Sequence, residues 1–354
     1  MKILTVAGTR PELIRLSIII DKLNKLVDHV LVYTNQNYTT SLSTLFFDEL
    51  DIRKPDYTFE AQHSFSKFLS NAMLEFEEVL KKEKPDKILI LGDTNSGLLA
   101  ILANRHNIPV YHMEAGNRCY DDRVPEESNR RVIDSLSTYN LPYTENSRQN
   151  LLSEGYHKNY VLKTGNPILE VLKRYSNCIN NSGIRAKLGL GNRKYVLVTA
   201  HRAENVDNID TLKNIMIALE HIAKTYKVVF SVHPRTKNKL KGLTFDEKGI
   251  ILSEPFGFFD FVRLQQDAAL TISDSGTVQE ESCLLGVPSI TIRDSTERHE
   301  TIECGSNILT GVKAESIIET FDIMTHRPKT KWKAPEDYLI ETVSNIVINI
   351  LLGK

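Results

Sequence analysis

Ile272-Ser273-Asp274-Ser275-Gly276-Thr277-Val278-Gln279-Glu280-Glu281 is the stretch on which the reading of the fold turns. The apolar run Ala268-Ala269-Leu270-Thr271-Ile272 feeds into it and reads as a buried strand. Ser275-Gly276-Thr277 reads as a small-residue turn, and residues 278–285 as the helix that follows. A strand, a tight turn and a helix start gather free backbone N–H groups and the positive end of a helix dipole at one spot, which attracts phosphate. Glu280 and Glu281 are expected on the first turn of that helix, where a carboxylate accepts hydrogen bonds from a pair of sugar hydroxyls. Phosphate on the turn and ribose on a glutamate make a nucleotide site. The competing reading is an ordinary strand–helix turn with capping residues.

Outward from this stretch, short apolar runs alternate with longer amphipathic segments. Residues 2–7, 30–34, 87–91 and 110–113 read as buried strands, with helices at 11–26, 65–82, 96–105 and 126–137 between them. The pattern then restarts, with strands at 195–200, 227–232, 250–252, 269–273 and 289–292 and helices at 210–225, 259–266, 278–285 and 314–324. Such alternation predicts right-handed βαβ units and parallel sheets. The fold class expected is therefore α/β, with two Rossmann-like, doubly wound domains facing across a cleft. The join falls between about 166 and 193, where Asn180-Asn181-Ser182-Gly183 and Gly189-Leu190-Gly191-Asn192 mark a polar, glycine-rich shift. The expected domains are 1–170, 185–335 and a final apolar helix in 336–354 that crosses back onto the first domain.

The 354 residues suit two such domains better than one core, and a formal net charge of −1 gives no electrostatic reason to expect nucleic acid. Cys119, Cys178, Cys283 and Cys304 lack CxxC spacing, which speaks against a disulfide framework or zinc site and suits a reducing cytoplasm. The apolar start of the chain is too short for a signal peptide and runs into a glycine turn, so a first strand is the better reading. No run reaches the length of a membrane span. HExxH spacing, a GxSxG elbow and the dinucleotide glycine fingerprint are all missing, which leaves no metal, serine-hydrolase or nicotinamide signature.

Chemistry concentrates at predicted strand ends. Gly8-Thr9-Arg10-Pro11-Glu12 follows the first strand and aims Arg10 over its edge, where a guanidinium clamps phosphate. Leu91-Gly92-Asp93-Thr94 and His112-Met113-Glu114-Ala115-Gly116 end two more strands, and Pro125-Glu126-Glu127-Ser128-Asn129-Arg130 opens a helix. Asp93, Glu114 and Glu126 thus converge on one edge, an arrangement that raises one carboxyl's pKa and serves proton transfer. Arg130, one turn from Glu126, is placed to pair with it. In the second half His201-Arg202 and His233-Pro234-Arg235 end strands, and Arg293 and Arg298 bring positive charge to the phosphate turn. With Arg10 they make a local excess of cations suited to a diphosphate.

These motifs, with Thr164-Gly165-Asn166, Gln279-Glu280-Glu281 and Arg293-Asp294-Ser295-Thr296-Glu297-Arg298, occur in order and closely resemble the non-hydrolysing UDP-N-acetylglucosamine 2-epimerases. The resemblance implies the glycosyltransferase B-type arrangement, a homodimer, and inversion at carbon 2 of a UDP-linked N-acetyl amino sugar without an added cofactor. It implies that Ser275, Gly276 and Arg10 hold the diphosphate, Glu281 with Glu280 the ribose, and Phe261 the uracil. Asp93, Glu114, Glu126, Arg130 and His201 would surround the reacting sugar, and Arg298 would touch sugar or phosphates. Gln36 and His233 fall near positions that some members use for a second, regulatory UDP-sugar. Many members carry lysine where this chain has Arg15, and arginine is not an equivalent group. The form Glu114-Ala115-Gly116-Asn117-Arg118-Cys119-Tyr120 looks more like a branch acting on UDP-2-acetamido-2,6-dideoxyhexoses, which makes UDP-N-acetyl-L-fucosamine for surface polysaccharides. Which group is acid and which is base stays open, with Glu114 or Asp93 first choice for the base. The rival readings are a B-type glycosyltransferase and a hydrolysing epimerase that releases free N-acetylmannosamine.

Overall fold

The computed structural model describes residues 1–36, 46–62, 64–192, 194–326 and 331–353. The chain divides into two compact units, one of residues 1–174 with 336–354 and one of residues 175–335.

The first unit is built on a six-stranded sheet of β1 (Lys2–Ala7), β2 (Asp28–Tyr33), β3 (Tyr57–Thr58), β4 (Lys87–Leu91), β5 (Val110–Met113) and β6 (Tyr139–Leu141). Every strand pair is parallel. The residues explain this, because Ile3, Leu4, Val6, Ile88, Leu89 and Ile90 are at most 1% exposed. Strands apolar on both faces need helices on both sides, and parallel crossovers supply them. The helices Phe65–Glu83 and Pro125–Leu136 lend Phe68, Phe76, Val79 and Ile133 to one face of this core. The strand order is β3-β2-β1-β4-β5-β6.

The second unit repeats the plan with β7 (Tyr195–Thr199), β8 (Lys227–Ser231), β9 (Ile250–Ser253), β10 (Leu270–Ser273), β11 (Ser289–Thr291) and β12 (Asn307–Leu309). Its order is β12-β11-β10-β7-β8-β9, all parallel. In each sheet the first strand formed has the second on one side and the fourth on the other. The order therefore reverses between β1 and β4, and again between β7 and β10. In doubly wound sheets ligands bind at that reversal, beyond the carboxyl ends of the strands.

Three strands escape the hydrophobic pattern: β3, β6 and β12. Each is an edge strand of two or three residues, too short for an apolar run. The segment expected as one helix over 96–105 is a 3-10 turn, Asn95–Leu99, followed by a helix, Ala100–Arg105. The last helix, Val343–Leu352, belongs to the first unit and lies on Arg10–Leu26, where Lys22 donates to Ser344 Oγ at 2.6 Å.

Candidate functional site

At the reversal in the first unit, β1 ends in Gly8-Thr9-Arg10 and β4 in Gly92-Asp93-Thr94. Gly8 is dictated by closeness: a Cβ there would lie 2.0 Å from Ser96 Oγ and 2.3 Å from Thr34 Oγ1. Ser96 also donates to Gln36 Oε1 through its backbone N–H (3.2 Å) and its hydroxyl (3.1 Å). Arg10 opens the helix Arg10–Leu26, with its guanidinium carbon 5.4 Å from the centre of the Phe46 ring. No carboxylate among the described residues is paired with it, and burial holds its pKa below the ordinary value. Glu12 lies beneath. Its Oε2 accepts from Gly8 N (2.8 Å), Thr9 N (2.6 Å) and Thr9 Oγ1 (2.8 Å), and its Oε1 accepts from Thr94 Oγ1 (2.7 Å). One buried carboxylate thus ties the Arg10 turn to the Asp93 turn. Burial pushes it up to about 7 against the pull of those four bonds.

Asp93 receives a two-pronged Arg130 guanidinium, Nε at 3.1 Å and Nη2 at 2.6 Å on Oδ2. Nη1 of Arg130 goes to Glu127 at 2.7 Å. Arg130 thus joins Asp93 to Glu127, two partners beyond the Glu126 that spacing along the helix suggested. Glu127 is buried beside Arg130, and Glu126 is half-buried. Glu114 has left-handed backbone, φ 67°, a conformation rare for a side chain of this size. Its Oε2 is 4.0 Å from Arg15 Nε and its Oε1 accepts from Asn117 at 3.3 Å. A buried network holds that loop: His112 contacts Asp134 Oδ1 and Gly92 O, each at 2.8 Å, and Arg118 bridges Asp134 (2.8 Å) and Glu154 (2.6 Å).

At the reversal in the second unit, β7 ends in Ala200-His201-Arg202 and β10 in Asp274-Ser275-Gly276. The helix starts at Gly276 with Ser275 as its cap, two residues earlier than expected. The small turn is itself the first helical turn, so Glu280 and Glu281 fall on the second turn, not the first. Gly276 is needed for close approach: a Cβ would sit 2.9 Å from Glu297 Oε1 and 3.6 Å from Arg298 Nη2. Arg298 is therefore beside the helix start, but its Nε is 2.5 Å from Glu280, and Arg293 is 2.9 Å from Glu297. The expected excess of cations is corrected accordingly, because carboxylates buried with these arginines offset their charge. Glu280, 1% exposed, is a partner of Arg298. Glu281 is buried as well. Phe261 lies half-buried on the helix Phe258–Asp267 against the cluster of Ile184, Leu190, Tyr195 and Leu264, so its ring does core work in this unit.

Asp274 joins the two sides of this reversal. Its Oδ2 accepts from His201 N and Arg202 N, both at 2.9 Å, and from Asn205 Nδ2 at 3.1 Å. Its Oδ1 is 3.2 Å from His201 Nδ1. Burial works to raise its pKa, but His201 and the Arg202 amide outweigh it and hold the group at about 2. The His201 ring is 6.3 Å from that of His233, which caps the helix Pro234–Leu240.

Sequence reading missed the ties made by Glu12, Glu127, Asp134, Asp274 and Glu297. Asp274 and Glu297 stand inside motifs that were legible, and their neighbours drew the attention. Among the described residues no group of His, Cys, Asp and Glu is arranged to hold a metal ion, and no helix is long and apolar enough to cross a membrane.

The family model described as UDP-N-acetylglucosamine 2-epimerase matches residues 21–352. A UDP-N-acetylglucosamine 2-epimerase of Methanocaldococcus jannaschii is 41% identical over 348 residues, covering 95% of each chain. A crystal structure from that organism, of UDP-GlcNAc 2-epimerase in complex with UDP-GlcNAc and UDP, superposes with a TM-score of 0.93 at 38% identity over 99% of each chain. A UDP-2,3-diacetamido-2,3-dideoxy-D-glucuronate 2-epimerase of Pseudomonas aeruginosa is 33% identical, covering 90% of this chain and 91% of its own. On this match over residues 21–352 and these identities over nearly the whole chain, this chain belongs to the UDP-N-acetylglucosamine 2-epimerase family.

Proposed function

We propose that this chain inverts carbon 2 of a UDP-linked N-acetyl amino sugar, UDP-N-acetylglucosamine or a 6-deoxy relative, by eliminating and re-adding UDP. The first unit supplies the carboxylates and Arg10, and the second supplies His201 and the helix start for the nucleotide. The observation that supports this most is the placement at the two reversals: Arg10 and Asp93 flank one, His201 and Ser275 the other.

The hydrogen on carbon 2 is not acidified by a neighbouring ketone, so its direct removal demands a very strong base. Breaking the carbon 1–oxygen bond as the proton leaves avoids this. The electron pair of the carbon 2–hydrogen bond becomes the carbon 1–carbon 2 double bond, and the pair of the carbon 1–oxygen bond departs on the diphosphate. UDP then re-adds while a proton reaches carbon 2 from the other face. The sequence is redox-neutral and calls for no cofactor.

The departing charge needs preorganised positive potential. Arg10, with no carboxylate partner among the described residues, and the N–H groups at Ser275-Gly276 supply it. Arg298 keeps the helix start in shape through Glu280. Asp93, Glu114, Glu126 and His201 are the proton-transfer set, with Glu114 or Asp93 the base. Arg15 and Arg130 lie beside Glu114 and Asp93 and help to aim them. Glu281, Phe261 and His233 are the further contacts to nucleotide or sugar that the family resemblance supports. The enzyme works as a cytoplasmic homodimer, a reading supported by the resemblance and, for the compartment, by four cysteines left as free thiols.

The test is separation of binding from chemistry. Asp93→Asn and Glu114→Gln abolish turnover and leave UDP affinity largely intact by calorimetry. Near-wild-type rates in both variants remove the acid/base set.

A further inference from the structure

We infer that Asp274 is a positioning residue that fixes His201 in the tautomer with a hydrogen on Nδ1 and a free lone pair on Nε2. The inference rests on the reading of His201 as a proton-transfer group and goes beyond it, because it assigns a job to a buried carboxylate that the mechanism leaves unused.

Asp274 is 0% exposed. One of its oxygens is fully occupied: Oδ2 takes the amides of His201 and Arg202 and the side-chain amide of Asn205. The other, Oδ1, has no well-aligned hydrogen-bond donor, and the His201 Nδ1 atom stands 3.2 Å from it. A buried carboxylate oxygen without a donor is costly. The arrangement selects whichever imidazole form points a hydrogen at Oδ1. A lone pair on Nδ1 would instead face a negative oxygen. Backbone bonding by the same carboxylate prevents the imidazole from backing away, because the amide of His201 is held by Oδ2. Nε2 is then the atom left for a substrate. It takes a proton as a base, or gives one as an acid once the ring is doubly protonated.

Asparagine makes the test sharp. In Asp274→Asn the side-chain oxygen still accepts from the two amides and Asn205, while an NH2 group now occupies the place of Oδ1. His201 must turn a lone pair toward it and carry its hydrogen on Nε2. In the serine-protease case, an asparagine in place of the aspartate behind a catalytic histidine costs about 10⁴ in rate through the wrong tautomer. A fall in kcat on the order of 10²–10⁴ is expected here, with UDP affinity little changed.

The decisive readout is ¹⁵N NMR of histidine-labelled protein with UDP bound. In the wild-type chain His201 shows protonated Nδ1 and unprotonated Nε2 at neutral pH. In Asp274→Asn the assignment reverses. The opposite tautomer in the wild-type protein overturns the inference whether or not the variant folds. So does an unchanged tautomer or an unchanged kcat in a folded Asp274→Asn. His201→Ala separates this from the reading beneath it. Full turnover in His201→Ala removes His201 from the mechanism, whatever its tautomer. If His201→Ala is slow, Asp274→Asn adds no further loss in that background, since the two act as one unit. An additive loss shows that Asp274 acts elsewhere.

Discussion

At the residue scale, two carboxylates do the same structural job with opposite electrostatics. Glu12 ties β1's end to β4's, and Asp274 ties β10's end to β7's. Glu12 has only neutral donors, so burial wins and its pKa rises from 4.5 to about 7. A raised folded-state value means stability that is complete below about 4.5 and is lost as pH climbs through 7. Asp274 has His201 and Arg202 beside it, so it drops from 3.8 to about 2, and its stability is present above 3.8 and lost as pH falls through 2. Glu12→Gln removes the first titration. Its deficit relative to wild type, read by urea unfolding, shrinks by about 2–3 kcal/mol between pH 5 and 8. A deficit that is constant or grows with pH contradicts this. Arg130 presents a different case, one cation shared by Asp93 and buried Glu127. Arg130→Leu strips Asp93 of its guanidinium partner and leaves buried Glu127 with Arg131 as its remaining cation among the described residues, lowering stability by about 3–5 kcal/mol, checked by the same unfolding measurement.

At the element scale, the turns after β1 and β10 tolerate nothing larger than glycine, for different reasons. Gly8 is pressed by the Thr34–Ser96 hydroxyl pair, 2.7 Å apart, and Gly276 by Glu297. Gly8→Ala forces the hydroxyls aside and costs about 1–3 kcal/mol. Ser96→Ala in the same chain removes the nearest obstructing atom, so the double variant is less destabilised than the sum of the singles by thermal melting. Equal additivity denies the contact. The elements themselves were legible to the extent that burial was two-sided. β1, β4, β5 and β10 announced themselves as apolar runs because helices cover both faces. β3, β6 and β12 did not, being edge strands of two or three residues. Tyr139-Asn140-Leu141 has no pattern to read. The start of the helix Gly276–Leu285 was set two residues late because glycine and threonine look like turn residues, whereas here they form the first helical turn.

At the scale of the whole molecule, order along the chain foretold the parallel sheets, and the repeated reversal explains why the chemistry sits at strand ends. Arg10, Asp93, His201 and Ser275 follow strands in the sequence, so their location beside a reversal could be read without coordinates. Their ionic partners could not. Arg298 meets Glu280, and Arg118 meets Glu154, across separations of 18 and 36 residues that only the packing of elements closes. A charge count along the sequence therefore overstated the free positive potential at the phosphate turn. Arg10 has no carboxylate partner among the described residues, and it and the N–H groups of the helix start are the groups assigned to the leaving diphosphate in the proposed reaction.

The claim at the centre is that a hydrogen leaves carbon 2 and a solvent-derived one replaces it. Incubation of the protein with UDP-N-acetylglucosamine or its 6-deoxy relatives in deuterated water, followed by proton NMR, tests it directly. The account predicts two carbon-2 epimers that remain linked to UDP, both with deuterium at carbon 2. Epimers that keep the original hydrogen, sugar passed to an acceptor, or free sugar and UDP as the main products would contradict it.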